Sequence, residues 1–249
     1  MYRIWILFVI LMAGCASHPE QQGTDSSTSQ VNDPFESFNR VMWNINYEFL
    51  DPYFVRPVSL TYTGYTPVFI RSGISNFLAN LDEPASMVNN LLMGNGTLAL
   101  NHLNRFWINT TFGVAGLYDA ASQGGIVKQD ERAFSDVLGK WGVGNGWYFM
   151  IPAYGPITLR EVTDQADGLY PPLSYLNIWA SLGKWFFEGM ETRSALVAQE
   201  GTLKNSPDPY LLSRDVFLQR RDYKAEISDN EAVDEEQEDY LDDYLDDEF

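Results

Sequence analysis

The chain has 249 residues, enough for one sizeable core, with 34 acidic side chains against 16 basic ones and a formal net charge of -18. That balance excludes the basic surface that phosphate backbones require, and with it nucleic acid as a partner. A single cysteine excludes an intrachain disulfide. The charge is unevenly placed. Residues 226–249 hold thirteen Asp or Glu and no Lys or Arg, which leaves the rest of the chain with 21 acidic against 16 basic residues. Residues 225–249 are therefore read as an acidic, solvated, disordered tail.

In chain order, the opening MYRIWILFVILMAG puts one Arg before nine apolar residues, Ile4 to Met12, and then small ones. The run is too short for a hydrocarbon layer about 30 Å thick and has the layout of a secretory signal, so residues 1–14 are assigned as a signal peptide. Cys15 falls at the cleavage point, and Met12-Ala13-Gly14-Cys15 resembles a bacterial lipobox. The resemblance implies that Cys15 becomes the mature N-terminus and carries acyl and diacylglyceryl groups, the only covalent additions expected; no other cofactor and no metal is. Ala16 follows where the related sorting rule looks for Asp, which implies delivery to the outer membrane. Several acyl chains together anchor stably, where one is marginal. An ordinary signal peptide with an incidental cysteine is the plainer alternative. Residues 15–31, rich in Ser, Thr and Gln, read as a flexible tether.

The body, residues 32–224, reads as one mainly α-helical domain. Its first helix is predicted over 33–51, with Asp33 as cap, Pro34 at the first position and Glu36 three residues after the cap. Phe35, Phe38, Met42, Ile45 and Phe49 form one apolar stripe, Asn39, Arg40, Asn44 and Asn46 lie on another face, and Asp51-Pro52 marks the end. Further helices are predicted over 71–82, 84–93, 97–112, 131–141, 174–200 and 209–224. Residues 55–69 give the best strand pattern, though their prolines argue against a central strand.

Charged residues are missing from long stretches: 84–104, 106–118, 141–159 and 168–183 contain no Asp, Glu, Lys or Arg. Arg105 is the lone break between the first two. Gly, Pro or clustered Asn interrupts each stretch, so none can be a spanning helix. Two environments suit such segments, an unusually apolar soluble core or a helical, monotopic body within one leaflet. A lipid anchor at Cys15 favours the second.

Catalytic groups are scarce. His18 and His102 are the only imidazoles, and no metal-ligand, nucleophile-elbow or phosphate-loop motif occurs. GVGNGW at Gly142 to Trp147 misses the dinucleotide fingerprint because its last glycine comes one position early. Asp82-Glu83 and Asp130-Glu131 flank predicted helices, where capping is their default role. The expectation is a protein that is not an enzyme.

Ordered motifs across the body then resemble the VacJ or MlaA family of bacterial outer-membrane lipoproteins. They include Asp33-Pro34-Phe35-Glu36-Ser37-Phe38-Asn39-Arg40, Asn80-Leu81-Asp82-Glu83-Pro84, Val88-Asn89-Asn90-Leu91-Leu92, Trp141-Gly142-Val143-Gly144, Glu191-Thr192-Arg193 and Asp208-Pro209-Tyr210. The resemblance implies a ring-shaped helical domain in the inner, periplasmic leaflet of the outer membrane, around a central amphipathic channel. It also implies partners: phospholipid removed from the outer leaflet, a trimeric porin, and a soluble periplasmic lipid carrier. On that footing Gly142, Gly144 and Gly146 are expected to hinge an apolar hairpin at about residues 106–121 that gates the channel; glycines that merely end the helix at Trp141 are the alternative. Met42, Asn44, Asn46 and Arg105 are the expected channel-lining residues, with Arg105 assigned either to a lipid phosphate or to snorkelling. A second functional class stays open: a structural lipoprotein that clamps porins through Trp179, Trp185, Phe186 and Phe187 without conducting lipid.

Overall fold

A computed structural model describes residues 33–227. The expected signal peptide, Cys15, the tether and residues 228–249 of the expected tail lie outside the described residues. Helix α1 (Glu36–Asn44) runs unbroken into a segment of wide i→i+5 turns (Ile45–Val55) and on into α2 (Arg56–Tyr65). The long α3 (Val68–Leu92) turns at Met93-Gly94-Asn95 and packs along α4 (Gly96–Thr111). Short α5 (Ala120–Gln123) and α6 (Phe134–Lys140) precede an antiparallel hairpin of β1 (Tyr148–Ile151) and β2 (Gly155–Thr158), in register Tyr148↔Thr158. Tight 3-10 turns over Arg160–Leu169 and Leu173–Tyr175 lead to α7 (Ile178–Ala195), α8 (Glu200–Lys204) and α9 (Pro209–Lys224).

Proline accounts for the main departures from the expected boundaries. The first helix does not stop at Asp51-Pro52. Pro52 has no N–H and its ring clashes with the carbonyl four residues back in an α-helix, but the i→i+5 turn moves that carbonyl away. The N–H of Arg56 bonding to the Asp51 carbonyl spans the same wide turn. Residues 55–69 are not a strand: Pro57 opens α2 and Pro67 precedes α3, positions where a missing N–H costs nothing. The helices expected over 71–82 and 84–93 are one, because packing against α4 along its length carries α3 past the roughly 3 kcal/mol cost of Pro84.

Polar groups, more than apolar ones, fill the interior. Among the described residues sixteen buried side chains are polar or charged and thirteen hydrophobic, while Tyr65, Phe69, Phe112 and Trp179 stand more than three-quarters exposed. Ordinary apolar burial therefore does not order this body; matched polar pairs must. Contacts link α1, the wide segment, α2, α7, α3, α6, the Arg160–Leu169 turn and the β-hairpin, and the hairpin returns to α1, so the packed elements close a circuit.

The hairpin joins α1 through two carboxamides. The Asn39 amide donates to the Tyr148 carbonyl (3.0 Å) and accepts from the Met150 N–H (2.9 Å). Seven residues on, Asn46 does the same with the Ile151 carbonyl (2.9 Å) and the Ala153 N–H (2.8 Å). Each carboxamide stands in for one residue of a neighbouring strand and satisfies the free edge of β1. Asp33 is no cap: its carboxylate accepts from the Tyr210 hydroxyl (2.5 Å) and the Asn39 amide (2.9 Å) and faces Arg214 at 3.5 Å, which ties the start of the body to α9.

The body also extends past the boundary expected at 224. Ala225 is fully buried, and Glu226 accepts from Asn95 (2.6 Å) and Lys140 (2.8 Å).

Replacing Asn39 with Ala strands a buried carbonyl and a buried N–H, so a stability loss of about 2–4 kcal/mol is expected in denaturant unfolding. Asn46→Ala, whose bonds face solvent, should cost about 1 kcal/mol or less.

Candidate functional site

Arg105 lies at the centre of the α3–α4 pair and is 2% exposed. Its Nε donates to Glu83 (3.0 Å), its Nη1 to Ser122 Oγ (3.1 Å) and the Ile126 carbonyl (2.8 Å), and its Nη2 to both Asp119 oxygens (3.1 and 3.0 Å). The other Glu83 oxygen meets His102 Nδ1 at 2.6 Å. Every nitrogen of the guanidinium is engaged inside the protein. The expectation that Arg105 lines a channel, pairs with a lipid phosphate or snorkels is therefore overturned: no donor is left over and no path to the surface is open. Asp82 and Glu83 are not caps either, since Glu83 sits in mid-helix on Arg105 and Asp82 meets Lys184 of α7 at 2.8 Å.

The same network seats residues 112–119. Asn109 donates to Asp119 (3.1 Å) and accepts from the Ala121 N–H (2.8 Å), and Val114, Ala115 and Gly116 all adopt left-handed backbone, at φ 53°, 56° and 95°. That conformation is unfavourable for a β-branched residue such as Val114 and persists only where neighbours impose it. Gly116 lies against Asn80 of α3, where any Cβ would come within 2.8 Å of that side chain.

The three glycines have unequal geometries. Gly142 and Gly146 adopt left-handed backbone at φ 91° and 70°, whereas Gly144 does not and has open space around it. Their segment is bonded to Leu138, Leu159, Arg160 and Asp222 through Val143, Trp147 and Asn145, and no described hydrogen bond joins residues 142–147 to 106–121. The segment runs directly into β1. Any motion it permits acts first on the β-hairpin, not on the stretch that Arg105 and Asn80 hold against α3.

Of the remaining channel-lining expectations, Asn44 is exposed, Met42 is half-buried, and Asn46 is occupied by the hairpin. A cleft of about 600 Å³ opens instead just beyond them, on the wide turn. Tyr47, Glu48, Asp51 and Pro52 of the wide turn, with Arg56 directly after it, supply one wall; Arg193 of α7 and Glu200 and Lys204 of α8 supply the other. Arg193 grips Asp51 through two bonds (2.5 and 2.7 Å) and reaches Glu200 at 2.6 Å, while Arg56 Nε donates to Glu200 at 2.9 Å. Hydrogen bonds from Arg193 and Arg56 pull the Glu200 pKa down to about 2. Burial, with Glu200 and Asp51 close by, pushes the Tyr47 phenol up and keeps it a donor. Sequence reading placed Arg193 in a motif but had no signal for this cleft, because its walls lie some 140 residues apart, as the Asp51–Arg193 separation of 142 shows. A smaller apolar pocket, about 270 Å³, lies between Pro84, Leu103, Phe106, Trp107 and Pro171-Pro172.

Residues 31–224, a span that contains all of these groups, match the model of the MlaA lipoprotein family. The chain belongs to that family. It is 44% identical over 218 residues to the intermembrane phospholipid transport system lipoprotein MlaA of Escherichia coli, covering 86% of this chain and 84% of that protein. The protein of the same description from Haemophilus influenzae is 34% identical over 244 residues, covering 96% and 95%. A solved structure from work on the structural basis for maintenance of bacterial outer membrane lipid asymmetry superposes with a TM-score of 0.76 at 48% identity, covering 78% of this chain and 98% of that one. The MlaA match stops short of Glu226 and of the acidic residues that follow.

Burial works against the Asp119 carboxylate, yet hydrogen bonds from Ser122 and Arg105 prevail and hold its pKa at about 2. A depressed folded pKa stabilises above the ordinary value of 3.8 and is lost as pH falls toward 2, so the melting temperature of Asp119→Asn should vary less than wild type across that window. Gly142→Ala should lose about 1–2 kcal/mol for its left-handed backbone, and Gly144→Ala less than about 0.5 kcal/mol, in the same melts.

Proposed function

We propose that this protein is an outer-membrane lipoprotein that moves phospholipid out of the outer leaflet and so maintains lipid asymmetry. One observation carries the reading: among the described residues more buried side chains are polar than hydrophobic, many large apolar side chains are exposed, and no helix is long and apolar enough to cross a membrane. Large apolar side chains left on the outside suit acyl chains, and the charged cleft on the wide turn suits a headgroup. A body of that kind lies within one leaflet, which is where a lipid anchor at Cys15 holds it. The transport role of the related MlaA proteins agrees with this placement. No nucleotide motif is present in the sequence, so the protein provides a passive route and a soluble periplasmic carrier takes the lipid onward.

The glycine segment acts in this reading as a hinge for the β-hairpin, with the Asn39 and Asn46 carboxamides as the catch that holds β1 against α1. A porin partner has its own support. Trp179, Trp185 and Phe186 are exposed on α7, whereas Phe187 turns inward onto Tyr62 at 5.8 Å between ring centroids. Three exposed aromatics on one helix, Phe186 resting edge-on against Phe187, suit a protein neighbour within the membrane. The structural-clamp alternative uses that surface alone, without lipid passage.

Cells lacking this chain should accumulate phospholipid in the outer leaflet several-fold, measured with an amine-reactive label that does not cross the membrane, and a plasmid copy should reverse it. Normal asymmetry without the protein, with porin assembly impaired, would support the clamp and refute transport.

A further inference from the structure

We infer that the cleft on the wide turn recognises a zwitterionic phospholipid headgroup of the phosphoethanolamine class. The inference rests on the phospholipid-moving role and specifies which lipid that role selects. The cleft carries three cationic groups, Arg56, Arg193 and Lys204, and three anionic ones, Glu48, Asp51 and Glu200. Its own charges cancel. A headgroup that also cancels enters without leaving a net charge in a partly desolvated site, whereas a phosphoglycerol headgroup brings one excess negative charge.

The unused hydrogen-bonding groups divide by sign. On the cationic side, Arg193 Nη1 and Tyr47 Oη are buried with no partner among the described residues. Arg56 spends only its Nε on Glu200, and Lys204 Nζ stands 3.8 Å from the same carboxylate while its side chain is mostly exposed. Arg193 takes both Asp51 oxygens, and Arg193 and Arg56 share Glu200 Oε1, so Glu200 Oε2, 3.8 Å from Lys204, is the one acceptor left for these several donors. Donors without acceptors call for a group with acceptors only, and phosphate is that group. Glu48 is the converse. It is exposed and forms no hydrogen bond or ion pair among the described residues, an acceptor next to the phosphate position with a primary ammonium as its complement. The wide turn brings this about: Tyr47 and Glu48 sit one turn before Asp51 and Pro52, on the same wall.

Native mass spectrometry of the full-length protein, incubated with mixed micelles of equal phosphatidylethanolamine and phosphatidylglycerol, tests the inference. Wild type should retain mostly phosphatidylethanolamine. Glu48→Gln removes a side chain that holds nothing in place; it should shift the retained ratio toward phosphatidylglycerol by roughly threefold to tenfold, the range of one partly screened charge-assisted bond, with the melting temperature unchanged. Lys204→Gln should lower retention of both lipids. No headgroup preference in wild type, or a ratio that Glu48→Gln leaves unmoved, overturns the headgroup site while phospholipid transport stands. A wild-type protein that holds no phospholipid overturns both. Binding of water-soluble glycerophosphoethanolamine as tightly as the lipid overturns the assignment to a membrane ligand.

Discussion

Arg105 brings a fixed positive charge into a site almost closed to water, and the surrounding chain is arranged to answer it. Glu83 comes from the facing helix, Asp119 from the turn beyond α4, and Ser122 and the Ile126 carbonyl from the segment after that. Removing either carboxylate, Glu83 or Asp119, leaves charge that the interior solvates poorly, a loss on the order of 3–5 kcal/mol. The group therefore fixes several things at once: the register of α3 on α4, the left-handed turn at Val114 to Gly116, and the direction in which the chain leaves toward α6. An apolar core would not fix that register so sharply, since apolar contacts tolerate sliding and a five-donor fork does not.

The same logic recurs around the body. Asn39 and Asn46 satisfy the edge of β1, Asp33 collects Tyr210, Arg214 and Asn39, Arg221 meets Glu161, and Arg193 ties the wide turn to α7 and α8. Most of these bonds join elements far apart in the chain, which is how a protein with many exposed apolar side chains can hold a unique fold. With the body in a leaflet, as proposed above, the hydrophobic effect would not drive its outer surface inward, and specificity would rest on polar groups with nowhere else to go. Pro52 shapes the cleft through the same arrangement. By forcing the wide turn it places Tyr47, Glu48 and Asp51 on one wall facing Arg193, which an α-helix ending at Asp51 would not have done.

Much of this was legible in the residues. The periodicity and caps located α4, α6 and α9 within three residues of their expected starts, whereas the first charge-free stretch is partly interior, with Ala85, Ser86, Asn89 and Asn90 buried. The ordered motifs identified the family that the family match then established. Short-range reading failed where distant partners decide. Glu83 and Asp33 looked like caps because capping is the commonest fate of an acid near a helix end; their actual partners lie 22 residues away at Arg105 and 177 away at Tyr210. Arg105 looked stranded among uncharged neighbours for the same reason.

By itself, then, the sequence determined a helical body, long stretches without ions, and membership of the MlaA family, because hydropathy, helix periodicity and motif order are local properties of the chain. It did not determine that the interior is polar, that the helix passes through Pro52, or that Asp51 and Arg193 face each other across a cleft. Those features depend on which charges meet after folding, and a buried charge is stabilised only by a partner that the tertiary structure brings to it.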